Sequence, residues 1–340
     1  VRLPLELVEE HGDVAVLRSK SPLAPSDVPR ELRYRTRTGA LVRVAGIARG
    51  AFDRIHGALL VPPGEGGVVT LEVEQRTSPA DSLLLGVALR WHHRPWRKTE
   101  RHARCLEVAG APLPAHAAAA KGTDLALVGH AHLDVAWLWT YDEARRKALR
   151  TFATAVRQLE ADPTYVFTQS QPQLYAFVEE DDPELFARVQ AFAAAGRFDA
   201  SGAGLWVEPD CNLPSGESLL RQLAFGIRYA TRRLQTVPTV AWLPDTFGFA
   251  NTLPTLLAHA GVTAFSTTKH SWNDTTRFPH AQFIWEGPDG SRVLAAQLSS
   301  IQGGLESRRL ERARRRRELL LVGYGDGGGG ATDAMVEQGS

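Results

Sequence analysis

Cysteine is nearly missing from this chain of 340 residues, with Cys105 and Cys211 as the whole supply. Two thiols without C-x-x-C spacing exclude a disulfide framework and a cysteine metal site, so a cytoplasmic compartment is the default expectation. Methionine occurs only as Met335, the chain opens on Val1 and it closes on a soft Gln338-Gly339-Ser340 tail. An incomplete or processed chain is therefore expected. Lysine is scarce, 5 against 34 arginines, mostly scattered, which reads as biased genome composition. No apolar run reaches the roughly 18 residues of a membrane span, and no charged-then-apolar leader is present. A net charge of +1 provides no field for nucleic acid or an anionic surface, so neither partner is expected. What is present is ordinary: 44% hydrophobic and 23% charged residues, the usage of a globular protein. The length suggests about two domains, or one large barrel with an attachment.

The first hundred residues read mostly as short strands, at 14–17, 41–45, 68–73 and 83–87, separated by turns such as Val61-Pro62-Pro63-Gly64. That spacing suggests a small sandwich-like domain over 1–110. A Pro- and Ala-rich linker at 111–122 follows. From 123 to 340 the pattern changes to β-then-α units. Strands are expected at 124–129, 165–168, 205–207, 240–243, 262–266, 283–285 and 319–322, with helices near 142–160, 184–195 and 217–234. The fold class is therefore α/β: about seven β/α units in a parallel, barrel-like layer, preceded by the β-rich domain.

In such layers the chemistry collects at the carboxyl ends of the strands. The first strand runs into Gly129-His130-Ala131-His132-Leu133-Asp134, the 240s strand into Pro244-Asp245-Thr246-Phe247, and the 205–207 run into Glu208-Pro209-Asp210. The last apolar run ends in Tyr324-Gly325-Asp326-Gly327. A His-x-Asp pair can turn an imidazole and a carboxylate toward one ion, a donor set that suits zinc. Taken alone, His130 and His132 are more simply two hydrogen-bonded histidines in a turn; several acid-bearing strand ends in one domain favour a metal site. His130 could equally be a group that steers a ligand. The glycine run 327–330 lacks the Gly-Lys-Ser/Thr of a nucleotide loop and could be a linker.

His130-Ala131-His132-Leu133-Asp134-Val135-Ala136-Trp137 resembles the opening signature of the glycoside hydrolase family 38 α-mannosidases. Thr168-Gln169-Ser170-Gln171-Pro172, Trp206-Val207-Glu208-Pro209-Asp210, Asn212-Leu213-Pro214-Ser215-Gly216, Trp242-Leu243-Pro244-Asp245-Thr246-Phe247-Gly248, Ser271-Trp272-Asn273-Asp274 and Tyr324-Gly325-Asp326-Gly327 continue it in order. The spelling is closest to the cytosolic and bacterial branch. The resemblance implies a retaining α-mannosidase acting on an α-mannoside or oligosaccharide, with one divalent metal, usually zinc, and it allows a homo-oligomer. It implies His132, Asp134 and Asp245 as metal ligands, Asp245 also as nucleophile, and Asp326 as acid/base. Trp137 and Phe247 are similar to residues lining the sugar pocket, and Asp210 and Asp274 to hydroxyl contacts. A retaining glycosidase needs such a carboxyl pair, one nucleophilic and one protonated.

Two departures accompany the resemblance. The family's fourth ligand, a downstream histidine, has no counterpart, since no histidine follows His280, and the 300–319 stretch is short, its Arg-rich run reading as a solvated helix. The family's later domains are also absent, so the chain is expected to be the front part of a mannosidase. Two alternatives stay open: a metal-dependent amide or ester hydrolase on a β/α barrel, and an inactive fragment that binds only sugar or metal.

Overall fold

The computed structural model describes residues 2–36, 38–53, 55–75, 105–110, 127–272, 274–275, 278–298, 300–301, 303–316 and 319–339. The strand expected at 83–87, the linker at 111–122 and the first residues of the strand expected at 124–129 lie outside them. Strands β1 (Arg2–His11), β2 (Val14–Ser19), β3 (Arg30–Arg33), β4 (Ala40–Val44), β5 (Ile47–Phe52), β6 (Ala58–Val61), β7 (Val69–Glu74) and β8 (Cys105–Gly110) pair antiparallel, in the order β5-β4-β7-β2-β1-β8-β3-β6. β1 is the pivot. Its first residues pair with β8 and the rest with β2, with a register shift between Leu7 and Glu9. Leu17, Val42 and Leu71 from one side of the pivot share a core with Leu32, Leu59 and Leu106 from the other, as alternate residues along each strand turn inward.

Helix α1 (Tyr141–Ala161) joins this sheet to the rest. The Thr140 hydroxyl accepts the Glu143 N–H at 3.2 Å, and Asp142 and Glu143 fill the first turn, both favourable at a helix start. Phe152, Val156 and Leu159 pack with Phe167, Tyr175 and Phe198 on one side, while Leu41 and Ala48 of the antiparallel sheet close the other. Because the helix is covered on two faces, its polar residues must be paired. Arg150 pairs with Glu74, Arg157 with Asp333 at 2.5 Å, and Gln158 donates to the Ala331 carbonyl at 2.7 Å.

The remaining strands are β9 (Leu127–His130), β10 (Phe167–Thr168), β11 (Phe198–Asp199), β12 (Val240–Trp242), β13 (Ala264–Thr267), β14 (Gln282–Glu286), β15 (Arg292–Gln297) and β16 (Leu320–Val322). They alternate with helices α2 (Pro172–Asp181), α3 (Pro183–Ala194), α4 (Gly216–Arg233) and α5 (Leu253–His259), and with α6 (Ser307–Arg316) and α7 (Asp333–Gly339). The α/β character holds, but the described residues form no closed barrel. The strands fall into two sheets, β11-β10-β9-β16 and β12-β13-β15-β14, parallel except for the edge strand β14. One antiparallel bridge, Ala203 to Ala241, spans the gap, and Trp242, Leu298 and Leu321 pack in one cluster with Val128 and Val240. The expected strand at 205–207 is irregular instead. The Trp206 and Val207 N–H groups donate to the Gln222 carbonyl and side chain, at 3.1 and 2.9 Å, so neither is left for a ladder. The Arg-rich run is the helix α6.

A polar clasp ties the antiparallel sheet to the segment after β16. Asp53 Oδ1 accepts the N–H groups of Ile55 and His56, each at 2.7 Å, its Oδ2 lies 3.0 Å from His56 Nδ1, and His56 Nε2 reaches the Ala331 carbonyl at 3.2 Å. Burial opposes the Asp53 charge, yet the His56 ring and the two amides outweigh it and hold the carboxyl at about 2. An unfolded Asp titrates near about 3.9, so acidification protonates the unfolded chain first, and the Asp53 contribution is lost as pH falls through about 2. The difference in urea midpoint between the parent and Asp53→Asn should therefore narrow between about pH 4 and pH 2. A difference constant over that range would contradict the assignment.

Candidate active site

Three chain segments leaving carboxyl strand ends meet at one cleft. After β9 comes the loop of His132 and Asp134, steadied by the Trp139 indole, which donates to the Asp134 carbonyl at 3.0 Å. After β12 comes Asp245, and after β16 Asp326. The glycine run following Asp326 is no linker. Gly327 and Gly328 lie at φ 77° and 78°, where L side chains are strained. A Cβ on Gly328 would also come within 2.7 Å of the Thr151 hydroxyl. That close turn lets the Gly328 N–H donate to the His132 carbonyl at 2.8 Å while the Thr151 hydroxyl donates to the Gly328 carbonyl at 2.6 Å. The loop of Asp326 is thereby fastened to the loop of His132.

His132, Asp134 and Asp245 each offer one ligand atom, all within 4.8 Å of one another. Buried His132 points Nε2 at Glu208 Oε2, 2.7 Å away, while its Nδ1 has no hydrogen-bond partner and stands 3.7 Å from Asp326 Oδ1. A buried imidazole nitrogen without a hydrogen bond, on a residue that clusters with the Asp134 and Asp245 carboxylates, is a donor set that fits a cation such as zinc. The electrostatics agree. Burial works against an imidazolium at His132, but Glu208, Asp326 and Asp134 hold it well above its usual range. Burial raises Asp134 to about 6, the Glu208, Asp245 and Asp326 charges adding to the rise and His132 opposing it. Too much negative charge faces too little positive.

Lys269 supplies part of the balance. Its ammonium lies 2.6 Å from Asp245 Oδ1 and stands 4.3 and 3.8 Å from the ring centroids of Phe247 and Trp272. The two rings meet edge to face. With Trp137 they put exposed aromatic surface beside the carboxylates, in a cleft of about 580 Å³ that Asp134, Asp210, Asp245, Thr246, Ile301 and Asp326 also line. A polar floor with aromatic walls suits a ligand that is polar at its hydroxyls and apolar on its C–H faces.

His130 takes no part in this cluster. Its Nδ1 lies 3.3 Å from the Thr168 carbonyl, its ring meets Trp242 edge-on, and burial, reinforced by His132, pushes it down to about 3. It is a neutral core histidine. Asp210 reaches the cleft, but its Oδ1 accepts the N–H groups of Asn212 and Leu213 at 2.7 and 2.8 Å. Asp274 is exposed and is not among the lining residues. Sequence reasoning singled out neither Lys269 nor the bridging position of Glu208, although Glu208 stands in the quoted Trp206-Val207-Glu208-Pro209-Asp210 motif and Lys269 lies two residues before Ser271-Trp272-Asn273-Asp274.

Residues 122–340 match the Glycosyl hydrolases family 38 N-terminal domain. The chain is 38% identical over 245 residues to Alpha-mannosidase G of Dictyostelium discoideum, which covers 69% of this chain and 22% of that relative. It is 40% identical over 220 residues to Alpha-mannosidase 2C1 of Homo sapiens, covering 62% and 21%. The chain spans about a fifth of the length of these curated relatives. A solved alpha-mannosidase from Enterococcus faecalis aligns at TM-score 0.49 and 17% identity, over 63% of this chain and 26% of that one.

Proposed function

This chain belongs to glycosyl hydrolase family 38, and from that premise we propose that it carries the catalytic part of a retaining α-mannosidase. The observation that carries the reading is the meeting of His132, Asp134 and Asp245 with Asp326 in one aromatic-walled cleft. We further read 1–110 as a sandwich-like β domain, 111–122 as a linker and 123–340 as a catalytic domain whose two sheets are arcs of one barrel-like layer. A cytoplasmic site goes with the free, buried Cys211.

In this reading Asp245 attacks the anomeric carbon while Asp326 gives its proton to the departing oxygen. A glycosyl ester on Asp245 results. Water, losing a proton to Asp326, then attacks the same carbon and releases mannose with retained configuration. His132, Asp134 and Asp245 would hold a divalent metal, with zinc the first expectation; when bound, it supplies a Lewis acid for sugar hydroxyls and developing charge. Lys269 keeps Asp245 aimed, and Trp137, Phe247 and Trp272 offer their faces to the C–H side of the ring. Asp210 and Asp274 remain candidates for hydroxyl contacts. The single histidine in the cluster does not favour the amide or ester hydrolase.

The test joins metal content to turnover. Zn²⁺ binding by calorimetry should be chelator-sensitive in the parent, lost in His132→Ala and kept in His130→Gln, and the metal-loaded protein should hydrolyse an aryl α-mannoside. Equal loss in both histidine variants would mean that the ligand set is wrong. Binding without hydrolysis would favour the sugar- or metal-binding fragment.

A further inference from the structure

We propose that Glu208 is the positioning residue that locks the two ligand-bearing loops together, its carboxylate bridging the His132 imidazole and the backbone of Asp245-Thr246. The inference rests on the metal-site reading above and adds a residue that reading does not need. The Glu208 side chain is 8% exposed, and both its oxygens are engaged. Oε2 accepts the His132 Nε2 proton at 2.7 Å. Oε1 accepts the N–H of Asp245, the N–H of Thr246 at 3.1 Å and the Thr246 hydroxyl at 3.4 Å. All these partners are donors, so only a group that accepts at both ends satisfies them.

Glu208 is itself held. Its N–H donates to Gln171 Oε1 at 3.1 Å, and Gln171 Nε2 donates to the Leu133 carbonyl at 2.9 Å. Gln171 adopts φ 63°, an uncommon conformation for a residue with a side chain, at the start of α2. The loops after β9, β10 and β12 are therefore cross-tied through one carboxylate and one amide. The consequence at His132 is specific. Once a cation displaces the second ring proton, the remaining proton is committed to Glu208 through Nε2, and the imidazole presents Nδ1, which has no hydrogen bond, as its lone-pair donor to the cluster. The same carboxylate fixes the peptide of Asp245, so one group sets two of the three ligands.

The test uses this chain with Zn²⁺ as probe, affinity being read by competition with a chromophoric chelator. Glu208→Gln puts an NH₂ against donors at one end, and should bind Zn²⁺ on the order of 10–100-fold more weakly than the parent, with unchanged near-UV circular dichroism. Nitrogen NMR of His132 in the zinc-loaded parent should show the proton on Nε2, a readout that a general loss of stability would not move. Parental affinity in Glu208→Gln, with His132→Ala still deficient, overturns the role of Glu208 and leaves the metal site standing. Equal affinity of parent and His132→Ala overturns both. If Glu208→Gln does not fold, the parent alone decides: a proton on Nδ1 sinks the proposal.

Discussion

Asp245→Ala is expected to abolish hydrolysis of every α-mannoside, activated aryl substrates included, with kcat falling by at least about 10⁴-fold, the scale on which losing an essential nucleophile acts. Three functions go together in this variant. No glycosyl ester can form, one of three carboxylate or imidazole donors leaves the cluster, and the Lys269 ammonium, buried against Phe247 and Trp272, loses its 2.6 Å partner. Asp245→Asn separates the first from the others. Its side-chain oxygen can still accept from Lys269 and keeps the volume of the parent, so the fold and the Lys269 contact should persist while turnover remains lost. Azide should rescue neither variant to the parental product, because it cannot rebuild an ester on the enzyme. Turnover of a 2,4-dinitrophenyl α-mannoside by Asp245→Asn within tenfold of the parent, roughly 1.4 kcal/mol in the barrier, would remove Asp245 from the role of nucleophile.

Much of this site is legible in the chain because it is written at strand ends. A short apolar run followed at once by His-x-Asp, by Pro-Asp, or by Gly-Asp-Gly marks the place where a buried strand gives way to a polar loop, and β9, β12 and β16 end there. Helix α1 is equally plain, since Leu149, Phe152, Val156 and Leu159 repeat at helical spacing. What stays hidden depends on contacts between distant residues. Glu208 acquires its meaning only from His132 and Asp245, 76 and 37 positions away, and nothing in Trp206-Val207-Glu208-Pro209 marks the residue as a bridge. Leu205, Trp206 and Val207 look like a strand because they are apolar, yet Gln222 of α4 takes the amides of Trp206 and Val207. The true neighbour, β11, is two residues long, too short for any alternation to appear. β1 was obscured by its outward face: Glu6, Glu9, Glu10 and His11 crowd a ten-residue strand whose buried positions are only Leu3 and Leu5. The split between the two sheets is likewise a matter of long-range pairing, which no local pattern encodes.

Asp326→Ala should separate substrates rather than abolish them uniformly. The aspartate sits on the glycine-wrapped loop, with Oδ1 3.7 Å from His132 Nδ1, and lines the same cleft as Trp137, Phe247 and Trp272. If it gives a proton to the leaving oxygen, its loss matters in proportion to how much that oxygen needs one. A natural mannoside leaves as an alkoxide of high basicity, and its turnover should fall by about 10²–10⁴-fold, the range that general acid catalysis supplies. A dinitrophenyl group leaves without help, so glycosylation of Asp245 should remain near the parental rate. Hydrolysis of the ester, now lacking its base, should become rate-limiting, visible as a burst of dinitrophenol followed by slow turnover. Azide needs no base to attack; it should accelerate the slow phase and yield a mannosyl azide of retained configuration, the product of two inversions at one carbon. Two readings remain distinct on this experiment. If Asp326 only tunes the charge at His132, natural and activated substrates lose rate together and azide changes nothing. A natural mannoside hydrolysed at the parental rate by Asp326→Ala would remove the residue from the reaction altogether, and Asp210, which lines the same cleft, would be the next carboxyl to replace.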